Sequence, residues 1–378
     1  MSEAKPVGGK IFTGPFLFFL VITLIGAFFL AKRFIFGIGA VTGLSDGYPW
    51  GIWITYDVVV GTAFACGGYA MALLVYVFNR GQYHPLVRPA LLASCFGYTL
   101  AGVSVFIDIG RYWQIYNVFL PWFTNFNSVL LEVALCIAIY IGVLWIEFSP
   151  AFVEAKTKTK SRANMVLIFF IALGIVLPTM HQSSLGSLLI LAGNKLSPLW
   201  WTPMLPLLFL ISAITMGYSV VLFEASLSFL GFKLKKETDM LGKLSAIIPG
   251  LLVVYLIVRF GDLIMRGQLG LAFQGDLQGN MFLLENLLHI LPLVLLASAA
   301  NRQSAKNLFF SACCPMLGGF LFRFNAYLIG FDPGSGWHYF PTIPEMFITF
   351  AIISAEILLY MIFVKKLPVL SSHGQVKA

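Results

Sequence analysis

The chain has 378 residues, of which 59% are hydrophobic, 15% aromatic and only 11% charged. Soluble domains carry about 25% charged residues, so a chain this apolar would expose unworkable patches in water and requires lipid as solvent. The formal charge of +8 suggests a nucleic-acid partner, but the placement of the cations gives them a topological role, and no nucleic acid is expected.

A helix needs about 20 apolar residues to cross the hydrocarbon core. Runs at 13–31, 51–78, 89–109, 126–148, 164–181, 204–230, 244–265, 281–300, 307–329 and 345–364 predict an all-α integral membrane protein of about ten transmembrane helices, a single polytopic domain over 1–378. Met1 to Lys10 shows no cleavage-site pattern, so the first run reads as a retained helix rather than a removed signal peptide. The second and sixth runs are long enough to tilt or protrude. In the fifth, Pro178 and the polar run His181-Gln182-Ser183-Ser184 are expected to end the helix early, leaving Leu185–Ala192 re-entrant or interfacial.

Lysine and arginine test this parse. One set of alternate loops and termini holds Lys5, Lys10, Arg80, Arg88, Lys156, Lys158, Lys160, Arg162, Lys233, Lys235, Lys236, Lys243, Arg302, Lys306, Lys365, Lys366 and Lys377, seventeen in all. The opposite side holds five: Lys32, Arg33, Arg111, Lys195 and Arg266. The bias places both termini in the cytoplasm. The outer loops instead carry Gly47-Tyr48-Pro49-Trp50-Gly51, Tyr112-Trp113, Pro121-Trp122, Trp200-Trp201 and Trp337-His338-Tyr339, an interfacial aromatic belt on a surface where another protein could dock.

An internal repeat is visible. Asp108-Ile109-Gly110-Arg111 ends the third helix and Asn127-Ser128-Val129-Leu130-Leu131-Glu132 opens the fourth. Arg259-Phe260-Gly261-Asp262 ends the seventh and Asn280-Met281-Phe282-Leu283-Leu284-Glu285 opens the eighth. The offset of four helices preserves orientation, which implies two parallel four-helix bundles, helices 2–5 (51–181) and 6–9 (204–329), with helices 1 and 10 peripheral.

Ionisable residues within a span cost at least ~2.5–3.5 kcal/mol each on insertion scales and are functional candidates by default. Asp57, Asp108 and Glu132 reach one depth in the outer third, with His181 at a similar level and Arg111 placed to neutralise Asp108. A structural ion-pair network accounts for Asp108–Arg111 and Arg259–Asp262; a titrating site accounts better for Asp57 and Glu132. Tyr98 lies near mid-membrane and Glu224 in the inner part of the sixth helix; Glu356 and Arg323 are placed to pair, and Glu147 and Glu154 to be solvated at the inner edge.

Five cysteines, Cys66, Cys95, Cys136, Cys313 and Cys314, sit in apolar runs without a C-x-x-C pair, as packed free thiols do, and no metal is expected. Five histidines are too few for several b-type haems, and His181 and His289 are assigned to packing or proton transfer instead. Nucleotide loops and H-E-x-x-H are absent. Two classes survive: a quinone-reactive electron-transfer subunit, and a secondary transporter with an intramembrane acidic site. The outward displacement of the acids favours the first.

The stretch Tyr48-Pro49-Trp50-Gly51 through Asn79-Arg80-Gly81-Gln82-Tyr83-His84-Pro85-Leu86-Val87-Arg88-Pro89 resembles the membrane subunits of Hyb-type periplasmic nickel–iron uptake hydrogenases, in the wider family of NrfD and the polysulfide reductase membrane subunit. Asp108-Ile109-Gly110-Arg111-Tyr112-Trp113, Leu177-Pro178-Thr179-Met180-His181-Gln182-Ser183-Ser184 and Ala272-Phe273-Gln274-Gly275-Asp276 carry the same resemblance. It implies menaquinone as bound substrate, no haem, and a ferredoxin-like iron–sulfur subunit linking the chain to hydrogenase small and large subunits. Enzymatic activity then belongs to the complex. The resemblance places proton transfer at Tyr98, Glu132, His181 and Glu224; Trp50, Gly51, Asp57, Asp108 and Arg111 are the quinone-binding candidates.

Overall fold

A computed structural model describes residues 4–157, 165–232, 238–334 and 336–370. Among them are ten helices long and apolar enough to cross a membrane: α1 (Gly14–Phe36), α2 (Trp53–Val77), α3 (Gly81–Asp108), α4 (Val129–Lys156), α5 (Met165–Ile190), α6 (Leu205–Gly231), α7 (Thr238–Met265), α8 (Leu277–Ala297), α9 (Ala305–Ile329) and α10 (Ile343–Lys366). No strand occurs among the described residues; Leu196 and Phe331 form an isolated antiparallel bridge between two loops. Local chemistry sets several helix starts. Asp276 and Ser304 cap α8 and α9, and Thr342 with Glu345 forms a capping box on α10. Of the loop cations, Lys158, Lys160, Arg162, Lys233, Lys235, Lys236 and Lys377 lie outside the described residues.

The fifth span departs from the sequence expectation: α5 runs unbroken through Pro178 to Ile190. Proline removes one backbone donor, but the polar residues after it bond back into the helix. Thr179 Oγ1 donates to the Ile175 carbonyl (2.8 Å), His181 Nδ1 to that of Leu177 (2.9 Å) and Ser183 Oγ to that of Thr179 (3.0 Å). The polar run is therefore the inward face of a helix, with His181, Gln182 and Ser184 buried. Two segments of α2 (Trp53–Val60 and Leu73–Val77) and the end of α9 (Asn325–Ile329) are π-wound, a local rewinding common at functional sites.

Helices α4 and α5, and likewise α8 and α9, pack along each other, and α6 packs on α2, α5, α7 and α9. The two helices expected to be peripheral, α1 and α10, pair with one another, and α10 also lies on α3. The aromatic belt holds only in part: Trp113, Trp122 and Trp337 are exposed, whereas Trp200 is wholly buried. Cys66, Cys95 and Cys136 are buried free thiols, and Cys313 and Cys314 are half-buried.

Gly26 makes the α1–α10 contact close. A Cβ there would stand 2.7 Å from the Phe347 carbonyl oxygen and collide with Ala351. Gly26→Val should separate the two helices and lower stability by about 1–3 kcal/mol, the usual cost of overpacking. The measurement is the thermal midpoint of the purified protein in detergent; Gly250→Ala, where nothing lies within 4 Å of the added carbon, should keep or slightly raise it.

Candidate functional site

The end of the molecule away from both termini, expected to be the outer one, is built around Glu345, a residue that sequence reasoning missed. As the third residue of α10 it accepts from the Thr342 amide (2.7 Å), the Gly43 amide (2.9 Å) and the Tyr339 hydroxyl (2.9 Å). The Ile52 amide in turn donates to the Tyr339 oxygen (2.8 Å), and Trp53 Nε1 to the Glu345 carbonyl (3.3 Å). Burial and the adjacent Glu345 hold the Tyr339 phenol above its ordinary range, so it remains a donor. Trp50 is fixed beside this hub: its indole donates to the Tyr327 carbonyl (2.7 Å), and its ring lies 4.9 Å from Tyr327 and 4.8 Å from Phe331. The room left by Gly51 is taken up within the protein, since a Cβ there would meet Leu44 at 2.8 Å and the Tyr339 oxygen at 2.9 Å.

Below this hub lie Asp57, in the π-wound part of α2, and Asp108, at the end of α3. Thr349 of α10 donates to Asp57 Oδ2 at a long 3.5 Å. The Oδ1 atoms of both aspartates are buried without a protein hydrogen-bond partner. Arg111 does not neutralise Asp108. The chain turns extended at Ile109, and Arg111 is left exposed. The nearby cation is Arg33 of α1, expected in a loop but wholly buried, which donates to the carbonyls of Ile107 (2.8 Å) and Ile109 (2.7 Å) and lies over the Tyr112 ring.

Deeper, α3 and α5 bring Tyr98 and His181 into contact, with Tyr98 Oη 2.9 Å from His181 Nε2. The Leu177 carbonyl only accepts, so Nδ1 carries the ring proton and Nε2 accepts from the phenol. Gln182 Nε2 lies 3.1 Å from the same ring nitrogen and donates to Thr62 Oγ1 (3.1 Å). Cys66 Sγ approaches the phenol at 3.5 Å, and Tyr140 meets the Tyr98 ring edge-on at 4.6 Å. One turn outward on α5, Ser184 donates to Glu132 Oε1 (2.8 Å). Glu224 is not joined to this cluster directly; it accepts from Tyr360 of α10.

Other sequence-based pairings are rearranged. Arg259 bonds Glu285 (3.1 Å), not Asp262, which pairs with Arg266 one turn on (2.6 Å). Trp200 and Asn325 also donate to Glu285, each at 2.9 Å. Arg323 donates to the Val59 and Phe209 carbonyls and to Ser212, not to Glu356. Glu154 pairs with Arg88 (2.6 Å), and Glu147, rather than being solvated, is pressed against Gly174 with Oε1 buried. The missed residues Glu345, Thr349 and Tyr360 were readable with Glu356 as one polar stripe, since at 100° per residue the four fall within an arc of about 60° on α10.

The ten helices and this internal hydroxyl–imidazole–carboxyl set define a polytopic membrane protein with a polar track between its middle and one end. The chain belongs to the family described as polysulphide reductase, NrfD, which it matches over residues 40–331. It is 48% identical, over 97% of its length and 95% of the relative's, to the probable Ni/Fe-hydrogenase 2 b-type cytochrome subunit of Escherichia coli (strain K12). It is 26% identical, over 90% of its length and 87% of the relative's, to the integral membrane subunit of a menaquinone reductase of Nitratidesulfovibrio vulgaris. The integral membrane subunit of an Hdr-like menaquinol oxidoreductase of Archaeoglobus fulgidus is 23% identical over 57% of this chain and 51% of its own.

The expectation of a haem-free chain is corrected by the first of these relatives, which is by name a b-type cytochrome subunit. The described histidines do not form a bis-histidine haem site. Both ring nitrogens of His181 are engaged, and His84, in the first turns of α3, and His338, in the loop before α10, are exposed at opposite ends of the molecule. His289 keeps Nδ1 without a partner, its ring against Gly318 and Tyr255. Among the described residues no group of three or more potential ligands is placed to hold a metal ion.

Glu345 holds two outer loops to α10 through hydrogen bonds to a charged acceptor, each worth about 1.5–3 kcal/mol. Glu345→Ala should therefore destabilise the protein by several-fold more than Glu345→Gln, which keeps one acceptor oxygen. Limited proteolysis of the segments around Gly43 and Tyr339, read alongside the thermal midpoint, measures the loosening.

Proposed function

We propose that the chain is the quinone-reactive membrane subunit of a hydrogenase complex. In this reading, electrons from hydrogen oxidation at nickel–iron small and large subunits pass through a ferredoxin-like iron–sulfur subunit to menaquinone near the outer face. Proton movement across the bacterial inner membrane is coupled to that step, with both termini cytoplasmic. The observation that carries the reading is the Tyr98–His181 hydrogen bond at 2.9 Å, buried at mid-membrane, in a chain so similar to a hydrogenase membrane subunit.

Reduction of a quinone consumes two electrons and two protons, and a proton donor must lie within hydrogen-bond reach of each quinone oxygen. Asp57 and Asp108, each with one buried oxygen free of protein partners, are the proposed donors. Trp50, with Tyr327 and Phe331, forms the aromatic wall of the ring site, and Gly51 serves it by admitting Tyr339. Arg111, exposed in the outer loop, takes no part. Glu132, Ser184, His181 and Tyr98 resupply the outer acids, and Glu224 is the inner entry. The division into units 51–181 and 204–329 belongs to this reading, which places the route mainly in the first.

Glu132→Gln keeps shape and removes the titrating proton. Hydrogen-dependent reduction of a naphthoquinone by the complex should fall roughly 10²-fold, the lower end of general acid–base contributions. Hydrogen oxidation with a soluble dye, which bypasses this chain, should be unchanged. Wild-type quinone reduction in both Glu132→Gln and Glu224→Gln would overturn the reading. A fusion after Lys366 should be active with a reporter that matures in the cytoplasm; activity of a periplasmic reporter there would reverse the topology.

A further inference from the structure

We propose that α10 supplies the inner half of the proton route, with Tyr360 and Glu356 carrying protons between Glu224 and the Tyr98–His181 pair. The proposal rests on the reading of the chain as a proton-coupled quinone subunit. It adds two relay residues, on a helix that lies outside the repeated units.

The gap they fill is set by helix geometry. Counting 1.5 Å per residue from the outer end of each helix, Tyr98 lies about 15 Å deep and Glu224 about 29 Å deep. That separation is several hydrogen bonds long, and no hydrogen bond joins the two residues. On the same scale Glu356 lies about 20 Å deep and Tyr360 about 26 Å deep, so that both fall within the interval. The contacts agree with the depths. The Tyr360 hydroxyl is hydrogen-bonded to Glu224. Glu356, four residues outward on the same face of α10, has its Oε1 3.3 Å from the position a Cβ on Gly97 would occupy, and Gly97 is the residue before Tyr98. The glycine is what lets the carboxyl reach the α2–α3 contact, since a side chain there would also meet Ala65 at 2.6 Å.

A purely structural role fits poorly. Arg323, the buried cation that could have neutralised Glu356, is spent on carbonyls and a serine. The packing of α10 on α1 uses Phe347 and Ala351 against Gly26, on the opposite side of the helix from the polar stripe. Each transfer moves one proton between oxygens. As found, Tyr360 donates to Glu224. A proton arriving on Glu224 reverses that bond, so that Tyr360 accepts it and turns its own O–H toward Glu356. Glu356 takes this proton and passes one on toward Tyr98, which restores every group. The remaining steps each span about one helical turn in depth and are assigned to an ordered water or a rotamer change.

The test uses the complete complex reconstituted in liposomes, with a water-soluble naphthoquinone as acceptor and proton uptake recorded per quinone reduced. Tyr360→Phe and Glu356→Gln should each cut coupled quinone reduction about tenfold and raise its solvent deuterium isotope effect, as Glu224→Gln does, while Glu356→Asp retains most of it. Rates are normalised to dye-linked hydrogen oxidation, so reduced assembly cannot imitate the loss. Tyr360→Phe removes only a hydroxyl; should Glu356→Gln fail to assemble, wild-type coupling in Tyr360→Phe overturns the proposal by itself. Wild-type coupling in both α10 variants with loss in Glu224→Gln would place the route elsewhere and leave the function standing. Wild-type coupling in Glu224→Gln and Glu132→Gln as well would remove the function.

Discussion

Hydrocarbon offers no hydrogen bonds, so a carboxyl group held within it must find its donors on other parts of the chain. Several of the acids do so and thereby tie the helices together. Ser184 links α5 to Glu132 on α4, Tyr360 links α10 to Glu224 on α6, and Thr349 links α10 to Asp57 on α2. Glu285 on α8 collects Arg259 from α7, Trp200 from the outer loop and Asn325 from α9. The number and charge of the donors separate two kinds of acid. Glu285 is matched by a guanidinium and two neutral donors, and loss of either member of the ion pair would strand a buried charge. Glu132 and Glu224 each meet one neutral hydroxyl, which replaces little of the hydration a carboxylate loses. The first arrangement holds position; the second is the one that the proposed route uses.

The repeat shows the same division. Glu132 and Glu285 occupy equivalent places in the N-x-x-L-L-E motifs, yet their surroundings differ in charge as well as in sequence. Arg259 stands beside the glutamate of the second motif, whereas the glutamate of the first meets Ser184. His289 conforms to this pattern, packed against Tyr255 without the phenol-to-imidazole bond that Tyr98 makes to His181.

Much of this was legible in the sequence because polar residues are expensive in lipid. Tyr98, Glu132, His181 and Glu224 stand out from apolar runs, and the structure joins the first and third directly. The helix that each polar group faces was not legible. Spacing along one helix suggested Arg111 for Asp108 and Asp262 for Arg259, but partners come from whichever helix lies alongside, and nothing within a single span encodes that. Arg33 is the clearest case: it looked like a loop cation and is instead buried at the end of α3. Pro178 misled for a local reason, since its missing donor leaves a single carbonyl unpaired while the nearby hydroxyls and imidazole bond back to the helix. The polar stripe on α10 becomes visible only when its residues are taken together as one helix face, because each alone is an isolated polar group in an apolar run.

The π-wound start of α2 connects the outer hub to the interior. Each π turn adds one residue, which rotates the remainder of the helix by about 100° relative to regular winding. Over Trp53–Val60 this lets one short segment serve three directions. The Trp53 indole reaches the Glu345 carbonyl, Asp57 meets Thr349 of α10, and the Val59 carbonyl is turned to Arg323 of α9. Arg323 is wholly buried and bonds two carbonyls and a serine, with its guanidinium 4.5 Å from the Phe209 ring centroid. A guanidinium cannot shed its proton, so dipoles and a ring face must compensate its charge here. The irregular winding of α2 and the buried arginine thus depend on one another: the rewound segment turns a backbone carbonyl toward the charge, and the arginine holds the segment in the register that presents Asp57 to the outer site.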